Sequence, residues 1–437
     1  MTAAIARGPP SVRAPRPELD APVRLTPRFW LLLIATGIAA GLAAGALMVL
    51  LHTVQHVAWN YQQSGFFDAV ARAPAARVVL VLLAAGMLTG LMRRFLRLHV
   101  GGHGGEVTAA VWLADGRLDP APTLVRAVLS IVGVGMGVAL GREGAPKQVG
   151  GVAANLLADW SGLDAPQRRL LVACGAGAGM AAVYDVPFGG ALYTAEVLLG
   201  TLNLALMLPA LAASGIATAT SWLLLPHVVT YDFGFPTLPS ERLLAFALLA
   251  GPLVGLAAVA HVRAIAWADG KRFRGWKELA APLLVLGALG VVALRFPQVL
   301  GNGKDVVTQT LTGSLPLAAL AALLPLRLLA TTACLAAGAP GGLFTPTLAL
   351  GALLGALLGG VFEIIQPPLP VGVSGLIGTT AFLAAATHGP LSALALMLEL
   401  TRRIDPQAVP LLLAVAAATL TARALEPRSI YTARLPH

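Results

Sequence analysis

Nine apolar runs, each nearly free of charge, dominate this chain: residues 29–51, 78–91, 125–140, 204–225, 243–261, 283–294, 317–337, 343–361 and 411–425. A helix that crosses a bilayer needs roughly 20 apolar residues. Several of the runs are shorter than that, or are cut by Gly and Pro around Pro187, Pro340 and Pro390. Short, interrupted runs predict helices that enter the membrane without crossing it. Such breaks are tolerated only where protein or a water-filled cavity surrounds the freed backbone. Only 11% of the residues are charged, against about 25% in a soluble domain. The chain therefore reads as an all-α polytopic membrane protein.

The charges that remain are placed asymmetrically. Arg7, Arg13, Arg16, Arg24 and Arg28 precede the first run, whereas Arg72 and Arg77 alone stand between the first two; Arg93, Arg94 and Arg97 follow the second. Positive residues accumulate on the cytoplasmic side, which predicts a cytoplasmic N-terminus in a cell (inner) membrane. The net charge of +10 is explained by this topology and by a basic face toward anionic lipid, with no nucleic acid implied. No h-region marks a cleavable leader. Cys174 and Cys334 lie in small-residue stretches and imply neither a disulfide nor a metal framework.

The chain is written twice. "VPFGGALYTAE" (186–196) and "GPLSALALMLE" (389–399) each run as an apolar helix from a proline to a glutamate nine positions beyond it. Upstream of each lies a Gly/Pro cluster leading into a helix, "GREGAPKQVGG" from Gly141 and "GAPGGLFTPTL" from Gly338. Paired broken segments in corresponding halves point to a binding site near the membrane midplane. The expected organisation is a basic tail (1–28), a first transmembrane repeat (29–230), a second (231–431) and a short tail (432–437) with no cytoplasmic regulatory domain.

Glycines ahead of a helix let backbone N–H groups approach a ligand with no Cβ in the way. Unpaired N–H groups and the positive end of the helix dipole then favour an anion. Converging helix ends offset part of an anion's lost hydration without a full positive charge, which would trap the ion and slow its release. Glu143 stands at one such glycine-rich entrance. Its carboxylate could occupy the pocket as a tethered rival of a permeating anion and leave it on protonation; an ionisable group at membrane depth is a functional candidate. The residues leave open a structural pairing of Glu143 with Arg142 or Lys147.

These motifs, over nearly the whole chain, resemble those of the CLC chloride channels and chloride/proton antiporters. "GREG" with Gln148, "AGAPGGLFTPTLALGALLG" (337–355), "GNG" (301–303) and "RSIYTARL" (428–435) occur in the family's order. The resemblance implies a helical homodimer with an inverted repeat of about 16–18 helices, many re-entrant or broken, and one anion pathway in each subunit. It makes Glu143 the gate. It assigns anion contacts to the backbone at Gly144, Leu343 and Phe344 and to the hydroxyl of Tyr431, which from the residues alone reads as an interfacial aromatic anchor. It implies bound chloride, no other cofactor, and voltage- or proton-dependent transport.

Three departures matter. "GGHGGEV" (101–107) stands where the family carries a serine-bearing motif, and His103 falls at the anion-contacting serine. A neutral imidazole also donates one N–H, and a protonated one adds charge, so His103 in the pathway would alter pH response or anion preference. Lys147, four residues after Glu143, either pairs with the gate across one turn, enriches anions, or snorkels outward. Val197 occupies the position of the inner proton glutamate of coupled members and carries no proton. That favours a passive channel, although some exchangers manage with a non-ionisable residue there. Retention of Glu143 and Tyr431 tips the expectation to a chloride/proton antiporter, with a passive chloride channel or transport of another anion as alternatives. Glu196 and Glu399 are expected to satisfy helix ends. An intramembrane hydrolase would need a nucleophile–base pair or a metal set, and a cation carrier would need acidic groups or helix C-termini at the site. The sequence shows no such pair or metal set, and its glycine-rich features precede helices, so the chain is read neither as an enzyme nor as a cation carrier.

Overall fold

A computed structural model describes residues 23–61, 65–99, 106–234, 240–271, 273–364, 369–402 and 408–435. His103, with its glycine-rich neighbours, and the tail residues Arg7, Arg13 and Arg16 lie outside the described residues. The described chain forms seventeen α-helices, and its only β-type pairing is one isolated bridge.

The first half runs α1 (Pro27–Trp59), α2 (Phe66–Arg72), α3 (Ala75–His99), α4 (Val107–Leu113), α5 (Pro120–Gly135), α6 (Gly144–Ser161), α7 (Ala165–Tyr184), α8 (Pro187–Tyr193) and α9 (Leu204–Ser221). The second runs α10 (Ser240–Asp269), α11 (Lys277–Ala293), α12 (Lys304–Leu311), α13 (Leu317–Ala336), α14 (Phe344–Glu363), α15 (Val371–Thr387), α16 (Pro390–Thr401) and α17 (Ala408–Leu425). Local chemistry sets many of the boundaries. The Thr26 hydroxyl accepts from Phe29 N–H at 3.2 Å with Pro27 in the first turn of α1, the usual N-cap arrangement. At the "GNG" turn Gly301 and Gly303 hold φ of 65° and 96°, a region that disfavours side chains. Asn302 Oδ1 then accepts from Lys304 N–H at 3.0 Å to start α12.

Among the described residues, seven helices are long and apolar enough to cross a membrane: α1, α3, α9, α10, α13, α14 and α17. Both α7 and α15 are buried along almost their whole length, α7 against α6 and α15 against α14. Small residues allow the close approach: a Cβ on Gly150 of α6 would collide with the Gly175 carbonyl of α7, and one on Gly378 of α15 would collide with Gly355 of α14. In a bilayer, where lipid tails are as apolar as leucine, such backbone-to-backbone packing is what holds helices together.

The two halves are tied by exchanged carboxylates. Glu196, in a π-helical turn (Thr194–Leu198) after α8, accepts from the N–H groups of Leu391 (3.3 Å) and Ser392 (2.7 Å) at the start of α16. Glu399, near the end of α16, accepts from Phe188 (3.0 Å) and Gly189 (2.6 Å) at the start of α8. Each glutamate of the duplicated motif thus caps the other motif's helix, as expected for a role at helix ends. A helix start has orphan donors and a positive dipole end, so an ionised carboxylate there is stabilised twice over.

These caps predict that Glu196→Ala or Glu399→Ala leaves two helix-start amides without their acceptor. A hydrogen bond to a charged group contributes about 1.5–3 kcal/mol. The thermal unfolding midpoint in detergent is expected to fall clearly for either alanine variant and less for the glutamine variants, which keep one oxygen. Equal midpoints for wild type and both alanine variants would remove the caps from the account of the fold.

Candidate functional site

The isolated bridge is where the two Gly/Pro clusters meet. Gly141 N–H donates to the Gly342 carbonyl at 2.7 Å and Gly342 N–H donates to the Gly141 carbonyl at 2.8 Å. This pairing brings the start of α6 beside the start of α14, from opposite halves of the chain. Glycine is needed at 144 as well, since a Cβ there would stand 2.9 Å from Gly342 N.

Glu143, the N-cap residue of α6, is fully buried and does not cap its own helix. Its carboxylate reaches α14 instead. Oε1 accepts from Phe344 N–H at 2.7 Å; Oε2 lies 3.2 Å from the Tyr184 hydroxyl and 3.3 Å from the Thr345 hydroxyl. Those hydroxyls are 2.6 Å apart. Two hydroxyl protons serve three oxygen–oxygen pairs, so at most two are bonded at once. Around an ionised carboxylate both turn toward it. Around a neutral carboxyl, which itself donates, one is released to reorient.

No ion pair joins Glu143 to Arg142 or Lys147 among the described residues, so the structural pairing left open by the sequence is replaced by one amide and two hydroxyls. The Arg142 guanidinium lies over the Tyr184 ring, 5.0 Å from its centroid. Lys147 is buried rather than snorkelling outward. Its Nζ donates to the Tyr193 hydroxyl at 3.2 Å and stands 4.7 Å from the Tyr431 ring centroid.

Beside the start of α6 is a cavity of about 30 Å³ lined by Gly144, Lys147, Gly342, Leu343 and Tyr431 among others, room for one or two water-sized occupants. The Tyr431 hydroxyl is buried with no hydrogen-bond partner among the described residues. Glu106, Gln148, Gly341 and Arg434 line both this cavity and a vestibule of about 1060 Å³. Arg434 pairs with Glu106 at 2.7 Å and with Asp269 at 3.0 Å at that neck. The vestibule also carries Arg93, Arg97, Arg117, Arg126, Lys271 and Arg274 alongside Asp119, Asp159, Asp269 and Glu278, a modest excess of positive charge that favours anions.

The structure brings Glu143, Gly144, Leu343, Phe344, Tyr431 and Lys147 to one place, with Arg142 stacked against Tyr184, the residue that contacts Glu143 from behind. Sequence reading missed Tyr184, Thr345 and Tyr193. Thr345 was within reach, following Phe344 directly in the glycine-led motif. Nothing local marks the two tyrosines, which arrive from α7 and α8 through tertiary packing.

Comparison with known proteins places these features in one family. The family model "Voltage gated chloride channel" matches residues 80–423. A ClcB-like chloride channel protein of Ralstonia nicotianae is 33% identical over 388 residues, covering 84% of this chain and 87% of that protein. The voltage-gated ClC-type chloride channel ClcB of Escherichia coli K12 is 32% identical over 419 residues, covering 92% and 98%. The crystal structure of a slow cyanobacterial Cl⁻/H⁺ antiporter superposes with a TM-score of 0.81 at 22% identity over 94% of this chain and 97% of that one, a likeness of fold.

A Cβ at 342 would overlap the Glu143 carboxylate. Gly342→Ala is therefore expected to push that side chain off Phe344 N–H, with a destabilisation of about 1–3 kcal/mol typical of overpacking. A map of the variant showing the carboxylate still on the amide would refute the tight fit.

Proposed function

This chain belongs to the voltage-gated chloride channel family and is a multi-pass membrane protein of CLC-type chloride transport, and we propose that it works as a chloride/proton antiporter gated by Glu143. The observation that carries the reading is the Glu143 carboxylate seated on Phe344 N–H at the positive end of α14. That seat suits any small anion, because an amide and a helix end reward negative charge without regard to what bears it.

While ionised, Glu143 holds the seat by intramolecular contact and closes the route. Proton uptake removes its charge, and with it the charge-assisted bond, worth about 1.5–3 kcal/mol. The Phe344 amide then becomes available to chloride, which approaches from the cavity between Gly144, Leu343 and the Tyr431 hydroxyl. Return of the ionised carboxylate expels the anion and delivers the proton. One residue thus couples the two ions, since each occupies the seat or the side chain only when the other permits. The protein is proposed to act as a homodimer with one pathway per subunit, in a cell membrane with its N-terminus in the cytoplasm.

A passive channel is the second reading, and a specific observation favours it. Val197 is buried and carries no proton, and the carboxylate of the neighbouring Glu196 is engaged by two amides of α16. Neither supplies an inward proton relay, so the antiporter reading requires protons to reach Glu143 by water or through other groups. Transport of a different anion is the further alternative that the His103 position raises.

Chloride flux from liposomes with simultaneous pH recording separates these readings. An imposed chloride gradient is expected to drive proton movement in wild type, and the rate is expected to rise as pH falls, because protonation opens the seat. Glu143→Gln, permanently neutral, is expected to pass chloride with a flat pH profile and no proton movement. Wild-type chloride flux without any pH change would establish the channel; fluoride or nitrate flux exceeding chloride flux would establish another anion.

A further inference from the structure

We propose that Lys147 is a fixed cation of the anion pocket, its ammonium and the Tyr431 hydroxyl together holding the permeating anion on the inward side of Glu143. The inference rests on the reading of this cavity as part of the anion pathway, and goes beyond it by adding a full charge to a site otherwise made of dipoles.

Lys147 projects from the first turn of α6 and is 9% exposed. An ammonium has three N–H donors. One has an acceptor, the Tyr193 hydroxyl; the rest of the surroundings are the faces of Tyr193 and Tyr431, with ring centroids 5.3 and 4.7 Å from Nζ. No carboxylate pairs with it among the described residues. Glu143, one turn away, is turned to α14, and Glu106, which lines the same cavity, is engaged by Arg434 at 2.7 Å. A buried charge normally has a partner of opposite sign. Here the unfilled requirement faces a cavity large enough for one small anion.

The second, independent observation is the Tyr431 hydroxyl. Tyr431 is 5% exposed and lines the same cavity, and its hydroxyl, with Tyr193 as neighbour, meets no group in hydrogen-bond geometry among the described residues. An unused O–H and an unpaired ammonium side by side form a site for a monovalent anion: the hydroxyl supplies one directed hydrogen bond and the ammonium supplies charge and a second. The two aromatic faces temper the ammonium by cation–π contact, so the anion is not locked against a bare charge. The functional consequence is a trade. A pocket with a resident cation binds its anion at lower concentration and releases it more slowly than one lined by amides and hydroxyls alone.

The test uses the full-length protein and two probes. Chloride is titrated calorimetrically into wild type, Lys147→Met and Tyr431→Phe in detergent, and flux is measured in liposomes against chloride concentration. Lys147→Met is expected to weaken chloride binding by about tenfold or more, the scale of one charge-assisted hydrogen bond, and to raise both the half-saturating concentration and the maximal rate. Tyr431→Phe is expected to weaken binding less. A Lys147→Met protein that is less heat-stable but binds chloride as wild type does would mean that the lysine only packs the two tyrosines, and the proposal would be overturned while the pathway reading stood. Should that variant not fold, bromide in wild-type crystals decides. An anomalous peak in contact with Lys147 Nζ supports the proposal; a peak on backbone amides alone, or none in the cavity, overturns it. Wild type that neither binds nor passes chloride would remove the pathway reading along with the inference.

Discussion

The short antiparallel bridge between Gly141 and Gly342 is the contact on which the site depends. Two backbone hydrogen bonds of 2.7 and 2.8 Å join segments two hundred residues apart, and nothing larger than glycine fits at either position without meeting the Glu143 carboxylate. Through this bridge the N-terminus of α14 becomes the nearest set of unpaired donors to a side chain leaving the start of α6. A polar side chain at an N-cap position ordinarily serves its own helix. Here it serves the facing one. It is therefore placed on a seat that does not belong to it by chain connectivity, and can leave without unwinding the helix that carries it.

The same logic of exchange governs the rest of the inverted repeat. Glu196 caps α16 while Glu399 caps α8, and the α6–α7 pair is built on crossed glycines as α14–α15 is. Each exchanged cap places a carboxylate against the positive end of a helix from the other half, which compensates its charge and ties the halves together. The difference between these carboxylates and Glu143 is what surrounds them. Glu196 and Glu399 are each bound by two backbone amides, which do not move. Glu143 has one amide and two hydroxyl rotors that can trade partners. Permanence in the first two and exchangeability in the third follow from donor type.

Much of this was legible in the chain. The broken runs, the duplicated proline-to-glutamate motif and the glycine-led helix starts gave the fold class and both segments of the site, because each is a local consequence of composition and spacing. The helix-end role of Glu196 and Glu399 was readable as a role; that each caps the other's helix was not, since the pattern is symmetric and does not say which helix a carboxylate reaches. Tyr184 and Tyr193 sit in helices whose apolar sequences look like ordinary core. Their hydroxyls matter only because α7 and α8 pass behind the bridge. Lys147 shows the limit most clearly. The i, i+4 spacing to Glu143 suggested an ion pair, but that rule describes two side chains lying on one helix surface. Glu143 leaves α6 at its cap toward α14, so the spacing no longer brings the pair together.

The separation of these two charges bears on how an anion enters at all. Two unit negative charges 4 Å apart repel by about 4 kcal/mol at an effective dielectric of 20, roughly a thousandfold in occupancy. Chloride beside an ionised Glu143 thus requires either a proton on the carboxylate or a compensating positive charge. A lysine paired to Glu143 would have cancelled the gate's own charge and left the anion unrewarded. A lysine held away from it, against Tyr193 and Tyr431, leaves the Glu143 charge on α14 and, in the proposed mechanism, leaves positive charge for the incoming ion. In the proposed mechanism a proton is needed for the step in which chloride takes the carboxylate's place.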